Sequence, residues 1–238
     1  MFFNKGEKMH QKHAACFLDF DHTIFHTDQF FHVDARNSFL NLGIDALCWE
    51  QAYAAVRPTG YTIKKHLEAI IRQSGTHLPL GKMQNMLQTK FSDLKKYLFP
   101  DVIPFLHSAK EKGISLYLLS FGDAQWQSYK VAHCGINDYF DDIIFTAREG
   151  AKADVVKEKT KKVGRVIVVD NDPRELDAIK DITPQTHTWC INRVPDELLV
   201  PHDESSRLKF FSARTYAAMI GRHQHDSTKT LDEVLVAI

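Results

Sequence analysis

Short apolar runs alternate with helical patterns along much of this chain, and that alternation constrains its fold more than any other feature. Residues 14–18 (AACFL) form the first run, followed by 114–119 (ISLYLL), 143–145 (IIF), 166–169 (VIVV) and 186–191 (THTWCI). Runs of this length and character read as strands buried on both faces. Between them, residues 101–112 place Val102, Phe105, Leu106 and Ala109 on one helical face, with Gly113 as a stop. Residues 123–134 end at Gly135, and 151–162 end near Gly164. Residues 173–180 open on Pro173, where a missing N–H costs least. The pattern predicts an α/β fold, a Rossmann-like parallel sheet flanked by helices with right-handed crossovers.

The interval 27–99 breaks this rhythm and reads as four helices with no strand. Trp49, Tyr53 and Val56 follow helical spacing, as do Ile63, Leu67, Ile70 and Ile71 before Gly75. Leu80, Met83 and Leu87 continue the pattern, then Phe91, Leu94 and Leu98. These stripes read as the core of a small inserted bundle. The division expected is thus a core domain of residues 1–26 and 100–238 with an all-helical insert at 27–99. Thr230-Leu231-Asp232-Glu233 is a capping-box pattern that starts a last helix. Residues 193–225 carry no clear pattern.

Composition excludes several classes. With 44% hydrophobic and 25% charged residues, the chain has the balance of a globular protein. Lys+Arg and Asp+Glu number 30 each, so the basic excess of a nucleic-acid binder is missing. The lysine-rich stretch 157–162 reads as a solvated helix end, favourable to the helix dipole. No stretch approaches the roughly 18–20 apolar residues of a membrane span, and the N-terminus lacks the apolar core of a secretory signal. Cys16, Cys48, Cys134 and Cys190 form no C-x-x-C pair, so reduced thiols in a cytoplasmic protein are expected.

Asp outnumbers Glu 20 to 10. Asp favours caps, turns and metal sites, so its placement carries information. The first strand ends in Asp19-Phe20-Asp21-His22-Thr23. In open α/β sheets ligands bind beyond the carboxyl ends of strands. Two carboxylates this close repel unless a cation or a proton intervenes. The second strand runs into Ser120-Phe121-Gly122-Asp123, a hydroxyl, a small residue and a helix N-terminus suited to cradling phosphate. The fourth ends in Asp170-Asn171-Asp172, and Lys152 begins a helix between them. His22 and His26 flank the first motif, and hydrogen bonding or solvation is their expected state.

With DFDHT, LLSFGD, a lysine in EGAKADVV, and VVDNDPREL in this order, the sequence resembles the haloacid dehalogenase-like hydrolase superfamily. The likeness covers 14–25 and 100–192, and the insert is similar to the family's helical cap. The resemblance implies that Asp19 is a nucleophile forming an aspartyl-phosphate and Asp21 the acid/base residue. It implies that Ser120 and Lys152 complete the catalytic set, and that Thr23, Ser120, Phe121, Gly122 and Lys152 serve substrate binding. It implies Mg2+ held by Asp19, Asp21 through its main-chain carbonyl, and Asp170, with Asn171 or Asp172 assisting. Asn171 departs from the family's usual second acid. Lys157, five residues beyond Lys152, is the alternative lysine. His32, Arg57, Lys64, Lys65 and His66 in the insert are expected to be exposed unless they reach substrate.

The expected function is a magnesium-dependent phosphatase of a small phosphorylated metabolite, with no nucleic-acid or membrane partner. Dehalogenases resembling this family lack a second acid at the position of Asp21, which disfavours that activity. A phosphomutase or phosphotransferase of the same superfamily is the alternative. A phosphonate-cleaving member would need a lysine such as Lys64, Lys65 or Lys82 from the insert. Non-enzymatic readings are a phospho-accepting signalling domain, which would be shorter and lack the insert, or a binding scaffold. The insert carries 9 Lys+Arg and 6 Asp+Glu, the remainder 21 and 24, a polarity compatible with a basic cap over an anionic substrate.

Overall fold

The computed structural model describes residues 14–57, 60–161, 163–193 and 222–237. Its centre is a six-stranded sheet, β1 (Ala14–Leu18), β2 (Ser115–Phe121), β3 (Asp142–Thr146), β4 (Arg165–Asp170), β5 (His187–Ile191) and β6 (Asp226–Thr228). The spatial order is β3-β2-β1-β4-β5-β6, with every pairing parallel. The five strands expected from sequence are all present. β6 is an addition: three residues are too short to show a hydrophobic period. Residues 194–221, most of the unassigned stretch, lie outside the described residues.

Strand periodicity of two sorts the core into two layers. Cys16, Leu18, Leu116, Leu118, Ile167 and Val169 face one side. There they meet α4 (Val102–Glu111), α5 (Ala124–Cys134) and the last helix, α8 (Leu231–Ala237). Ala15, Phe17, Leu119, Val166 and Val168 face the other side, under α6 (Ala151–Lys159) and α7 (Pro173–Ile182). Burial on both faces explains why these strands read as continuous apolar runs. Chain order reverses between β1 and β4, so a crevice opens beyond their carboxyl ends.

The segment between β1 and α4 is helical, with no strand among its described residues. Its α-helices are α1 (Ala46–Val56), α2 (Ile63–Ser74) and α3 (Leu80–Lys90). A π-helical stretch, Asp28–Ala35, precedes them, where no helix was expected. The fourth expected helix, through Phe91, Leu94 and Leu98, does not form. Phe91 leaves helical geometry at φ −116°, ψ 40°, and Asp93 Oδ1 accepts from Lys95 N at 3.0 Å. That local turn competes with helix and leaves only the 3-10 turn Lys95–Tyr97. The segment shares one continuous apolar cluster with the sheet. It docks on α5: Leu94 N donates to His133 O at 2.9 Å, and Tyr129 Oη donates to Phe91 O at 3.0 Å.

His66, expected at the surface, is fully buried. Its Nε2 donates to Trp49 O at 2.9 Å, and its Nδ1 lies 3.3 Å from the Tyr61 hydroxyl. Burial holds its pKa at about 4, against the ordinary 6.5, despite the Trp49 carbonyl and Glu50, which favour the cation. The unfolded chain therefore binds the extra proton between those values, and stability falls as pH drops from 6.5 towards 4. The contribution is at most roughly 3 kcal/mol. Urea unfolding followed from pH 7 to pH 4.5 is expected to show a shallower loss in His66→Gln than in wild type.

Candidate active site

The crevice between β1 and β4 holds a buried charge cluster. Asp19 follows β1, and its amide continues the ladder by donating to Val169 O at 2.9 Å. Asp170 is the last residue of β4. Lys152, the second residue of α6, reaches both: Nζ is 2.7 Å from Asp19 Oδ1 and 2.6 Å from Asp170 Oδ2. All three are at least nine-tenths buried. Lys157 is exposed on the same helix, so Lys152 is the lysine this fold brings to the carboxylates.

Each member is held from behind. Thr23 Oγ1 donates to Asp19 Oδ2 at 3.1 Å, and Asp172 N donates to Asp170 Oδ1 at 2.9 Å. Gly150 N, at the start of α6, donates to the buried Glu175 Oε1 at 2.9 Å, which sets the helix that carries Lys152. Burial first, with Asp19 adding to it, outweighs Lys152 and pushes the Asp170 carboxyl up to about 7. The Lys152 ammonium is held charged, because the two carboxylates outweigh its own burial.

With both carboxylates ionised, the two of them and one ammonium carry a net negative charge in a buried space. That donor set suits a hard divalent cation: Mg2+ takes one or two protein carboxylates and keeps its other positions for water and phosphate oxygens. Asp172 does not belong to this set. Its carboxylate caps α7 by accepting from Arg174 N at 2.9 Å, and it pairs with the Arg174 guanidinium at 2.6 Å. Asn171 follows Asp170 directly, and its main-chain carbonyl accepts from Cys190 Sγ at 3.9 Å.

Asp21 faces α5 instead. Its Oδ1 accepts from Thr27 Oγ1 at 2.6 Å and from Lys130 Nζ at 2.5 Å, and its Oδ2 from Gln127 Nε2 at 2.7 Å. Burial works to raise this carboxyl, but the Lys130 charge and the three hydrogen bonds prevail and hold it at about 2. The chain turns directly after Asp21 at His22, a non-glycine residue at φ 60°, with His22 N donating to Phe25 O at 2.9 Å. The His22 imidazole lies 3.4 Å from Asp28. Arg193 ties down the loop by donating to Thr23 O at 2.9 Å while pairing with Asp101 at 2.7 Å. The helical segment lies close by, and the Asp21 charge adds to burial in raising the hydroxyls of Tyr53 and Tyr61.

The residues expected to bind substrate divide. Ser120 is buried at the end of β2, with its hydroxyl 3.4 Å from Gln127 Nε2. Phe121 is exposed beside it. Thr23 is fully buried, with its hydroxyl donating to Asp19, so in this structure it supports the aspartate. The Gly122 amide donates to Thr146 O at 3.0 Å. Gly122 has φ +141°, and a Cβ there would meet Gln127 Nε2 at 2.9 Å, so its lack of a side chain lets Gln127 through.

Sequence reasoning missed Thr27, Gln127, Lys130, Glu175 and Arg193. For two of them a signal existed. Gln127, Lys130, Val131 and Cys134 share one buried helical face, and a buried cation or amide on an apolar stripe needs a partner.

A doubly wound parallel sheet with carboxylates and a lysine gathered at its switch point defines an α/β enzyme with a carboxylate-based site. The profile of the haloacid dehalogenase-like hydrolases matches residues 13–183, and the chain belongs to that family. Over 147 residues it is 30% identical to the glyceraldehyde 3-phosphate phosphatase of Methanothermobacter thermautotrophicus, covering 57% of this chain and 64% of that protein. Over 150 residues it is 26% identical to the protein of the same name from Methanopyrus kandleri, covering 58% and 64%. The chain thus spans just under two thirds of the length of these relatives. Among solved structures, a protein assigned as a haloacid dehalogenase-like hydrolase from Burkholderia xenovorans LB400 superposes with TM-score 0.68 at 17% identity, covering 94% of this chain and 97% of that one. L-2-haloacid dehalogenase from Xanthobacter autotrophicus gives 0.61 at 17%, with the same coverage. At such identities the likeness is one of fold. Among the described residues no helix is long and apolar enough to cross a membrane.

Removing Lys152 leaves Asp19 and Asp170 buried against each other. Lys152→Met is expected to lose roughly 3–5 kcal/mol of stability in urea unfolding at neutral pH.

Proposed function

We propose that this hydrolase is a Mg2+-dependent phosphatase of a small phosphorylated metabolite, acting through an aspartyl-phosphate on Asp19. The observation that carries the reading is the convergence of Asp19, Lys152 and Asp170 at the switch point, with Asp21 fixed two residues from Asp19. The phosphatase names of the two curated relatives support it.

In this reading Asp19 attacks phosphorus in line, with Lys152 and Thr23 fixing its carboxylate oxygens. Ser120 offers its hydroxyl to the transferring phosphoryl oxygens. Asp21 serves as the base that takes a proton from the water of the second step, and in its acid role it passes that proton to the leaving oxygen of the next substrate. Asp19, Asp170 and the Asp21 main-chain carbonyl would hold Mg2+, with Asn171 the adjacent candidate. The ion would neutralise charge on the phosphoryl group. Residues 27–99 are the cap in this reading and select the substrate, and residues 1–26 and 100–238 are the core.

Purified protein is expected to release phosphate from p-nitrophenyl phosphate with Mg2+, and to stop when EDTA is added in excess. Asp19→Asn is expected to lose at least about 10³-fold in turnover while keeping its far-UV circular dichroism. Full activity in that variant would overturn the nucleophile assignment.

A further inference from the structure

We infer that Lys130 and Gln127 are positioning residues that aim the Asp21 carboxylate at the water which hydrolyses the aspartyl-phosphate. The inference rests on the phosphatase reading and deepens it. Both residues stand on the buried face of α5, one turn apart, and both are more than nine-tenths buried. Lys130 Nζ is 2.5 Å from Asp21 Oδ1, and Gln127 Nε2 is 2.7 Å from Asp21 Oδ2. With Thr27 also on Oδ1, both oxygens of the carboxylate are committed, so its rotation is fixed.

A lysine is expensive to bury, and general packing does not explain this one. Its ammonium lies over the Phe20 and Phe25 rings at 5.1 and 5.5 Å, and Asp21 is its carboxylate partner. Phe20 and Phe25 bracket Asp21 in sequence, so Lys130 grips the whole turn. Gln127 joins this hold to the second strand end, because the same Nε2 lies 3.0 Å from Phe121 O and 3.4 Å from Ser120 Oγ. Gly122 opens the space for that approach. The base is therefore registered against the hydroxyl that would bind the phosphoryl group. This matters most when water is the nucleophile, because water has no covalent link to the protein and its approach is set by the base alone. In that step the water oxygen bonds to phosphorus, the bond from phosphorus to the Asp19 oxygen breaks, and the water proton passes to Asp21. Inorganic phosphate and free Asp19 carboxylate result.

Rapid mixing with p-nitrophenyl phosphate and Mg2+ separates the two half-reactions, since nitrophenolate leaves in the first. Lys130→Met is expected to give a burst approaching one equivalent of nitrophenolate per site, then steady turnover lowered about 10²-fold. Acid-quenched protein from that variant is expected to carry phosphate. Gln127→Met, which leaves both charges of the ion pair in place, is expected to show the same burst and guards against misfolding of the lysine variant. A loss without a burst in both variants, or unchanged kinetics, overturns the inference while wild-type turnover upholds the phosphatase reading. Absence of wild-type turnover on any phosphate ester overturns both.

Discussion

The fold is organised around one costly interaction, a buried lysine shared by two carboxylates from neighbouring strand ends. Asp19 and Asp170 stand side by side only because β1 and β4 pair in parallel, with Leu18 opposite Val169. Lys152 reaches them from α6, and α6 is set by the Gly150–Glu175 hydrogen bond. None of these groups would stay buried alone, since an unpaired charge in such a place costs several kcal/mol. Each therefore needs the others in position before the crevice can close. With both carboxylates ionised the arrangement carries one negative charge more than Lys152 compensates, a donor set of the kind a hard divalent cation takes.

The second ion pair follows a different rule. Asp21, two residues from Asp19, is turned towards α5 and has its own cation. Separate cations for the two aspartates relieve the repulsion that their spacing would otherwise impose. Helix α5 also receives the inserted helices, through Leu94 on His133 and Phe91 on Tyr129. The same eleven-residue helix thus meets the loop that carries Asp21 on one side and the insert on the other.

Much of this was legible in the chain. Strand–helix alternation specified a parallel sheet, because strands buried on both faces must be apolar throughout. DFDHT after β1, the serine near the end of β2, the lysine opening α6 and the aspartate that ends β4 marked polar groups at the strand ends, and three of them, Asp19, Lys152 and Asp170, meet in the structure. The insert was legible as helical, but its details were not. Asp93 diverted the fourth helix into a turn, and the irregular stretch Asp28–Ala35 has no periodicity to read. His66 illustrates a general limit: a histidine on an amphipathic helix reads as surface until Trp49 O and Tyr61 are seen to receive it.

The sequence by itself determined which residue types stand at the strand ends, because local hydrophobic pattern marks the strands and the polar residues follow them directly. Only the tertiary structure decided how those groups pair. Lys152 lies 133 residues from Asp19, and Lys130 lies 109 from Asp21. Nothing local distinguishes Lys152 from Lys157, or makes Lys130 more than another helical lysine. Their roles are set by which face of α5 and α6 the packed sheet buries, and burial turns an ordinary lysine into a partner that a particular carboxylate cannot do without.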